Sequence, residues 1–372
     1  MFPLLFLGAY ACSGLAGLIY EVSWTRLLTL EMGRGIAASS TVLAAFMGGL
    51  ALGAALAGRR ASAMTPKQAL QVYAGLELAV AVLAIALPFE LRALSPLFAS
   101  AYQNGSAGVA FGLVRFGVSI LLLLLPAMAL GATFPLAVRW FGSGAGRGSR
   151  QAGQLYAANT IGAAVGALLS GFVLVPAVGV MGTLLVGVGT SLVAMAVAVA
   201  LSLRANEATI ADREAHLPPV PEPRSRRSSQ KGRPASAKVR LRDEAQVARP
   251  ALAAALLSIT GAATFIAEVA WTRVFALLVG PSTYAFAATV AAFIGGLALG
   301  ATAGTGIGAR TRRPALAIGL LLGAATIGSA WASTAAGTSL PHRVVADFAS
   351  SADISIVTHA VSYTHLTLPT KA

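Results

Sequence analysis

The chain is a succession of apolar runs, each about twenty residues long and apolar around its whole circumference, separated by short polar and basic stretches. A helix needs about 20 residues to cross ~30 Å of hydrocarbon. The alternating segments of about ten residues that a membrane barrel requires are not the pattern here. The runs predict helices over about 3–28, 36–58, 69–89, 109–138, 153–176 and 180–203. After a long polar stretch, further helices are expected over about 251–278, 283–307 and 314–336. The expected fold is an all-α integral membrane bundle of about nine transmembrane helices. Pro126 and Pro135, with Gly131 between them, predict a kink or break in the fourth.

A repeat at an offset of 247 residues organises these helices. Glu21-Val22-Ser23-Trp24-Thr25-Arg26 returns as Glu268-Val269-Ala270-Trp271-Thr272-Arg273, and Gly48 through Ala54 equals Gly295 through Ala301. Of the 42 positions from 13 to 54, 21 are identical in the second copy, and apolar composition alone does not align a Glu, a Trp and an Arg together. Six helices separate the copies, so both point the same way through the membrane. Parallel six-helix repeats joined by a long loop are the plan of a major-facilitator-like bundle. On that plan residues 1–203 are the first six-helix half, 204–249 a linker and 250–337 the first three helices of a second half. That half is expected to be truncated. Residues 338–360 stay unassigned.

Composition agrees. The 372 residues are 56% hydrophobic and 11% charged, against about 25% charged in soluble domains. The formal charge of +14 does not point to nucleic acid, because the basic residues lie between the apolar runs. Twenty of the 27 Lys and Arg fall in the loops after helices two, four, six and eight. Basic loops stay in the cytoplasm, which predicts a multi-pass protein of a bacterial inner membrane with its N-terminus cytoplasmic. The first run lacks a basic leader region and its pattern recurs internally, so it is expected to be a retained helix, not a cleaved signal. The linker, with four prolines at 218–223 and Arg224-Ser225-Arg226-Arg227 after them, is expected to be disordered.

Candidate chemistry is sparse. Cys12 is the one cysteine, and His216, His342, His359 and His365 show no ligand spacing, so no metal site, catalytic motif or cofactor is expected in this chain. The thirteen acidic residues lie mostly in loops and promise no carboxylate cluster. Glu21 and Glu268 are the sharpest candidates, since a carboxylate in a membrane helix is costly and marks function by default. They bind a proton or an organic cation, or else pair structurally, Glu21 with Arg273 and Glu268 with Arg26, with Trp24 and Trp271 as interfacial anchors. Tyr156 and Asn159, with Thr160, either line a cavity or bond between helices. The glycine pairs Gly49/Gly53, Gly162/Gly166 and Gly296/Gly300 are expected to be close-packing contacts. The partners expected are the lipid bilayer and an organic cation. Oligomeric state is left open.

Three segments carry a family resemblance: Ser13-Gly14 to Arg26 with Tyr20-Glu21 and Trp24, then Gly131-Ala132-Thr133-Phe134-Pro135-Leu136, then Gly153-Gln154-Leu155-Tyr156-Ala157-Ala158-Asn159-Thr160 continuing to Gly171, Pro176 and Gly179. Over roughly 3–337 the chain resembles the membrane portion of the bacterial fused major-facilitator/spermidine synthases. The resemblance implies a soluble aminopropyltransferase-like domain of Rossmann-like fold elsewhere in such a protein. That domain binds decarboxylated S-adenosylmethionine and aminopropylates putrescine. No residue of this chain corresponds to it. For the membrane portion the resemblance implies anchoring and the handling of polyamines. A proton-coupled facilitator-type transporter and a non-transporting scaffold are the alternatives. Val361 to Thr370 resembles translated sequencing-adapter read-through, so 361–372 are expected to be a non-native tail.

Overall fold

Hydrocarbon offers no water to backbone N–H and C=O groups, so a chain this apolar must pair them within helices. In the computed structural model it does so. The structure describes residues 2–32, 36–101, 109–142, 148–204, 250–279, 283–311 and 313–351, and among them every regular element is helical. In order these are α1 (Phe2–Met32), α2 (Ile36–Ala61), α3 (Pro66–Ala101), α4 (Val109–Phe141), α5 (Gly148–Leu168), a π-helical segment (Leu169–Leu174), α6 (Val175–Arg204), α7 (Pro250–Val279), α8 (Thr283–Arg310) and α9 (Pro314–Ser351). The expected linker, beyond Arg204, and the expected tail at 361–372 lie outside the described residues. So does the end of the unassigned stretch 338–360, whose first part continues α9 to Ser351.

Eight segments are long and apolar enough to cross a membrane. The longest, Gln151–Arg204, has 54 residues. A straight helix of that length would run ~80 Å, far more than one crossing needs. It is broken at Gly179, where φ is 70°, a backbone conformation that glycine adopts without the Cβ clash other residues suffer. The chain reverses there. Before the break, Gly162 meets Ala11 and Gly166 meets Leu15, so α5 runs parallel to α1. After it, Gly187 meets Ile19 and Tyr20 while Leu201 joins Phe6 and Tyr10, so α6 runs antiparallel. The fifth and sixth expected crossings are therefore one apolar segment folded back on itself. The break expected in the fourth does not occur: α4 runs on through Pro126 and Pro135.

Two packed layers show the up-down alternation of the first six crossings. One joins Phe6 and Tyr10 of α1 to Ala61 of α2, Leu70 and Tyr73 of α3, Leu136 of α4, Leu155 of α5 and Leu201 of α6. The other joins Trp24 and Leu28 to Val42, Phe46, Leu87, Leu91, Val118 and Leu184. Arg59, Arg60, Arg139 and Arg204 stand in the last turns of α2, α4 and α6, at the end marked by the first layer. There the Arg139 Nε–H donates to the Met64 carbonyl at 2.8 Å, tying the α2–α3 turn to α4. Thr65 starts α3 with a reciprocal cap. Its hydroxyl accepts from the Gln68 N–H at 3.2 Å, and Gln68 Oε1 accepts from the Thr65 N–H at 2.9 Å, with Pro66 in the first helical position.

Lipid gives helices no hydrophobic reason to associate, so small residues that let backbones touch do much of the work. Gly53 sits against Met128 and Gly131 against Leu50, which seats α2 on α4, and Gly14 sits against Asn159 on α5. A Cβ at Gly296 or Gly300 would meet nothing within 4 Å among the described residues. By the repeat these residues match Gly49 and Gly53, whose partner is α4. No counterpart of α4 is among the described residues. α8 instead packs on α5 and the π-helical segment. Val290 and Ala291 join Leu18, Ala163 and Ala167 there. α7 rests on α8, and α7 and α9 carry outward apolar side chains such as Ile259, Ile266, Leu320 and Ile327.

A side chain at Gly131 must push α2 and α4 apart. We expect Gly131→Ala to cost about 1–3 kcal/mol of stability, the usual cost of overpacking, and Gly296→Ala to be near neutral. Thermal unfolding in detergent compares the two, and equal melting temperatures would contradict the packing described.

Candidate functional site

Three carboxylates lie buried among these helices. Glu21 on α1 is 2% exposed, Glu77 on α3 is 0% and Glu268 on α7 is 7%. α1 continues eleven residues beyond Glu21, and α7 eleven beyond Glu268, each ~16 Å at 1.5 Å per residue. The other ends of the two helices lie ~28 Å and ~27 Å away. Both carboxyls therefore stand well inside their helices, away from either tip.

The two repeat-related carboxyls, 247 residues apart in the chain, are both buried, and Glu268 is among the charges that act on the Glu21 carboxyl. Neither Glu21 oxygen closes a hydrogen bond, nor does Glu268 Oε1. The alternative pairing with basic residues is accordingly not formed at Glu21: Arg273 is exposed, and Arg26 stands a turn and a half further along α1. Glu268 contributes its backbone carbonyl to the Thr272 hydroxyl at 2.8 Å. A buried carboxyl with an unpartnered oxygen is a place where a cation or proton binds well, because either relieves the cost of burial.

Glu77 is the residue that the sequence reading passed over. It lies eleven residues, ~16 Å, into α3. The hydroxyls of Ser13 on α1, Tyr73 on α3 and Ser191 on α6 surround its carboxyl, at a geometry that leaves both its oxygens without a closed hydrogen bond. Glu77 is thus a buried carboxyl among hydroxyls and not part of a carboxylate cluster among the described residues. The signal was present, a Glu inside a long apolar run, and the cost of burying that charge was the reason to weigh it.

The remaining candidates divide. Trp24 is not an interfacial anchor. It is 0% exposed, stacked on Tyr20 with ring centroids 5.2 Å apart and edge-on to Phe46 at 6.1 Å. Trp271 is half-buried, tilted against Phe275 at 6.3 Å. The Asn159 side-chain amide donates to the Tyr10 carbonyl at 3.2 Å, joining α5 to α1. Tyr156 is exposed, with Phe134 edge-on at 6.3 Å and its carbonyl accepting from Thr160. Neither touches a buried carboxyl. No group of three or more metal-ligating side chains occurs among the described residues.

Neither protein-family models, nor curated proteins, nor solved structures give a match to this chain.

Because Trp24 fills the core and Trp271 does not, Trp24→Ala is expected to cost about 3–5 kcal/mol and Trp271→Ala clearly less. Melting temperatures of the two variants in one detergent test this, and an equal loss would return Trp24 to the membrane interface.

Proposed function

We propose that this chain is the membrane portion of a spermidine synthase-like fusion protein built on a major-facilitator-like plan. It anchors an aminopropyltransferase-like domain and handles protonated amines at the Glu21–Glu268 pair. The observation that carries the reading is that the carboxyls at matching positions of two repeat-related helices are both buried with unpartnered oxygens. A polyamine is a flexible chain bearing ammonium groups, each with three donors and no acceptor. Two such groups match two acceptor-only carboxylates, and the intervening methylenes suit an apolar surround. The arginines at the ends of α2, α4 and α6 support a cytoplasmic N-terminus in a bacterial inner membrane.

A stand-alone proton-coupled transporter of the facilitator class is the second reading. The packing of α8 on α5 favours it, because this sets the start of the second repeat against the first bundle, where a substrate path between halves belongs. A non-transporting scaffold needs no carboxyl pair at all.

Uptake of labelled putrescine into vesicles bearing the full chain separates these. Glu21→Gln and Glu268→Gln should each lower uptake at limiting substrate by about tenfold or more, since a charged hydrogen bond contributes about 1.5–3 kcal/mol. Unchanged uptake in both variants removes the amine-binding role, and no uptake by the unaltered chain favours the scaffold.

A further inference from the structure

Glu77 stands on a different helix from the carboxyl pair, and the amine reading makes no use of it. Its surroundings are of one chemical kind. From α1 come Ser13, Tyr10, Cys12 and Tyr20, from α3 Tyr73 one turn earlier, and from α6 Ser191. Thr133 of α4 continues the line behind Tyr10. Glu77, Ser13, Tyr73, Ser191 and Thr133 are all buried. No Lys, Arg or His is among the groups acting on the Glu77 carboxyl among the described residues.

These neighbours narrow what binds there. An ionised carboxylate at this depth requires a cation, and the side chains around it supply none. A metal held by His, Cys, Asp or Glu side chains requires further such ligands, and no such cluster is present among the described residues. Hydroxyls both donate and accept, so they can serve a carboxyl in either protonation state. The Tyr73 hydroxyl closes no hydrogen bond of its own, and neither Glu77 oxygen does. On the far side, the Tyr20 hydroxyl donates to Ser191 Oγ at 3.2 Å.

We propose that Glu77 is a proton-binding site inside the first six-helix bundle, with the hydroxyls of Ser13, Tyr73 and Ser191 as the groups that accommodate its carboxyl in either protonation state. Loading adds one proton, drawn from water, to a Glu77 oxygen and release returns it, while the surrounding hydroxyls keep their own protons. The bundle thereby responds to protons independently of what the Glu21–Glu268 pair holds.

The test is infrared difference spectroscopy of the full chain in lipid nanodiscs across a pH jump. The unaltered protein should show a carboxylic-acid C=O band that shifts in heavy water. Glu77→Gln should abolish it, and the double variant Glu21→Gln/Glu268→Gln should keep it. Tyr73→Phe leaves the carboxyl in place but removes its hydroxyl neighbour, so the band should move in frequency. A band undiminished in Glu77→Gln, or lost in the double variant alone, overturns the proposal. Should Glu77→Gln not fold, an unmoved band in Tyr73→Phe overturns it instead. The readout is a vibration and not uptake, so failure here leaves amine handling standing, and the reverse.

Discussion

Close approach of helix backbones is the constraint on which the rest of this structure depends. In lipid the outer faces of the helices are already at home, so only contact, shape and polar bonding favour association. Glycine removes the side chain that would keep two backbones apart. At Gly53 and Gly131 this seats α2 against α4, and at Gly14, Gly162 and Gly166 it seats α5 against α1. The Asn159 amide then bonds across the narrowed gap to the Tyr10 carbonyl. With α1 held between α5 and α6, Ser13 faces α3 and Ser191, and a pocket of hydroxyls forms around Glu77.

Burial of carboxyls follows from that tightness and gives it a purpose. A Glu in a loosely packed membrane helix reaches toward water or headgroups. Here each Glu stands ~16 Å or more from either end of its helix. Membrane interiors tolerate such a group only when it is paired, protonated or visited by a cation. The two locations differ in kind. Glu21 and Glu268 stand at matching positions of repeat-related helices, and Glu268 acts electrostatically on the Glu21 carboxyl. Glu77 meets only uncharged hydroxyls within a single half. The first arrangement suits a ligand with separated positive charges, and the second suits the smallest cation there is.

Much of the architecture was legible along the chain, because the requirement it answers is local. Each crossing must satisfy its own backbone and present apolar side chains all round, so helix positions follow from runs of residues alone. The reversal between the fifth and sixth crossings was readable for the same reason, since Gly179 sits between two runs. The prolines of α4 do not end it: the helix continues past both, with Gly131 packed on α2.

What the sequence determined by itself was the membrane class, the number and order of apolar segments, the repeat, and the prominence of Glu21 and Glu268. What only the tertiary structure decided was which groups meet. It put Trp24 into the core and off the interface, left open space beside Gly296 and Gly300 among the described residues, and drew Glu77, Ser13 and Ser191 from three helices to one point. The reason is physical. Hydropathy acts on each residue through its immediate surroundings, so it can be summed along a chain. A contact between distant residues depends on helix rotation and separation, and these are set jointly by every interface in the bundle.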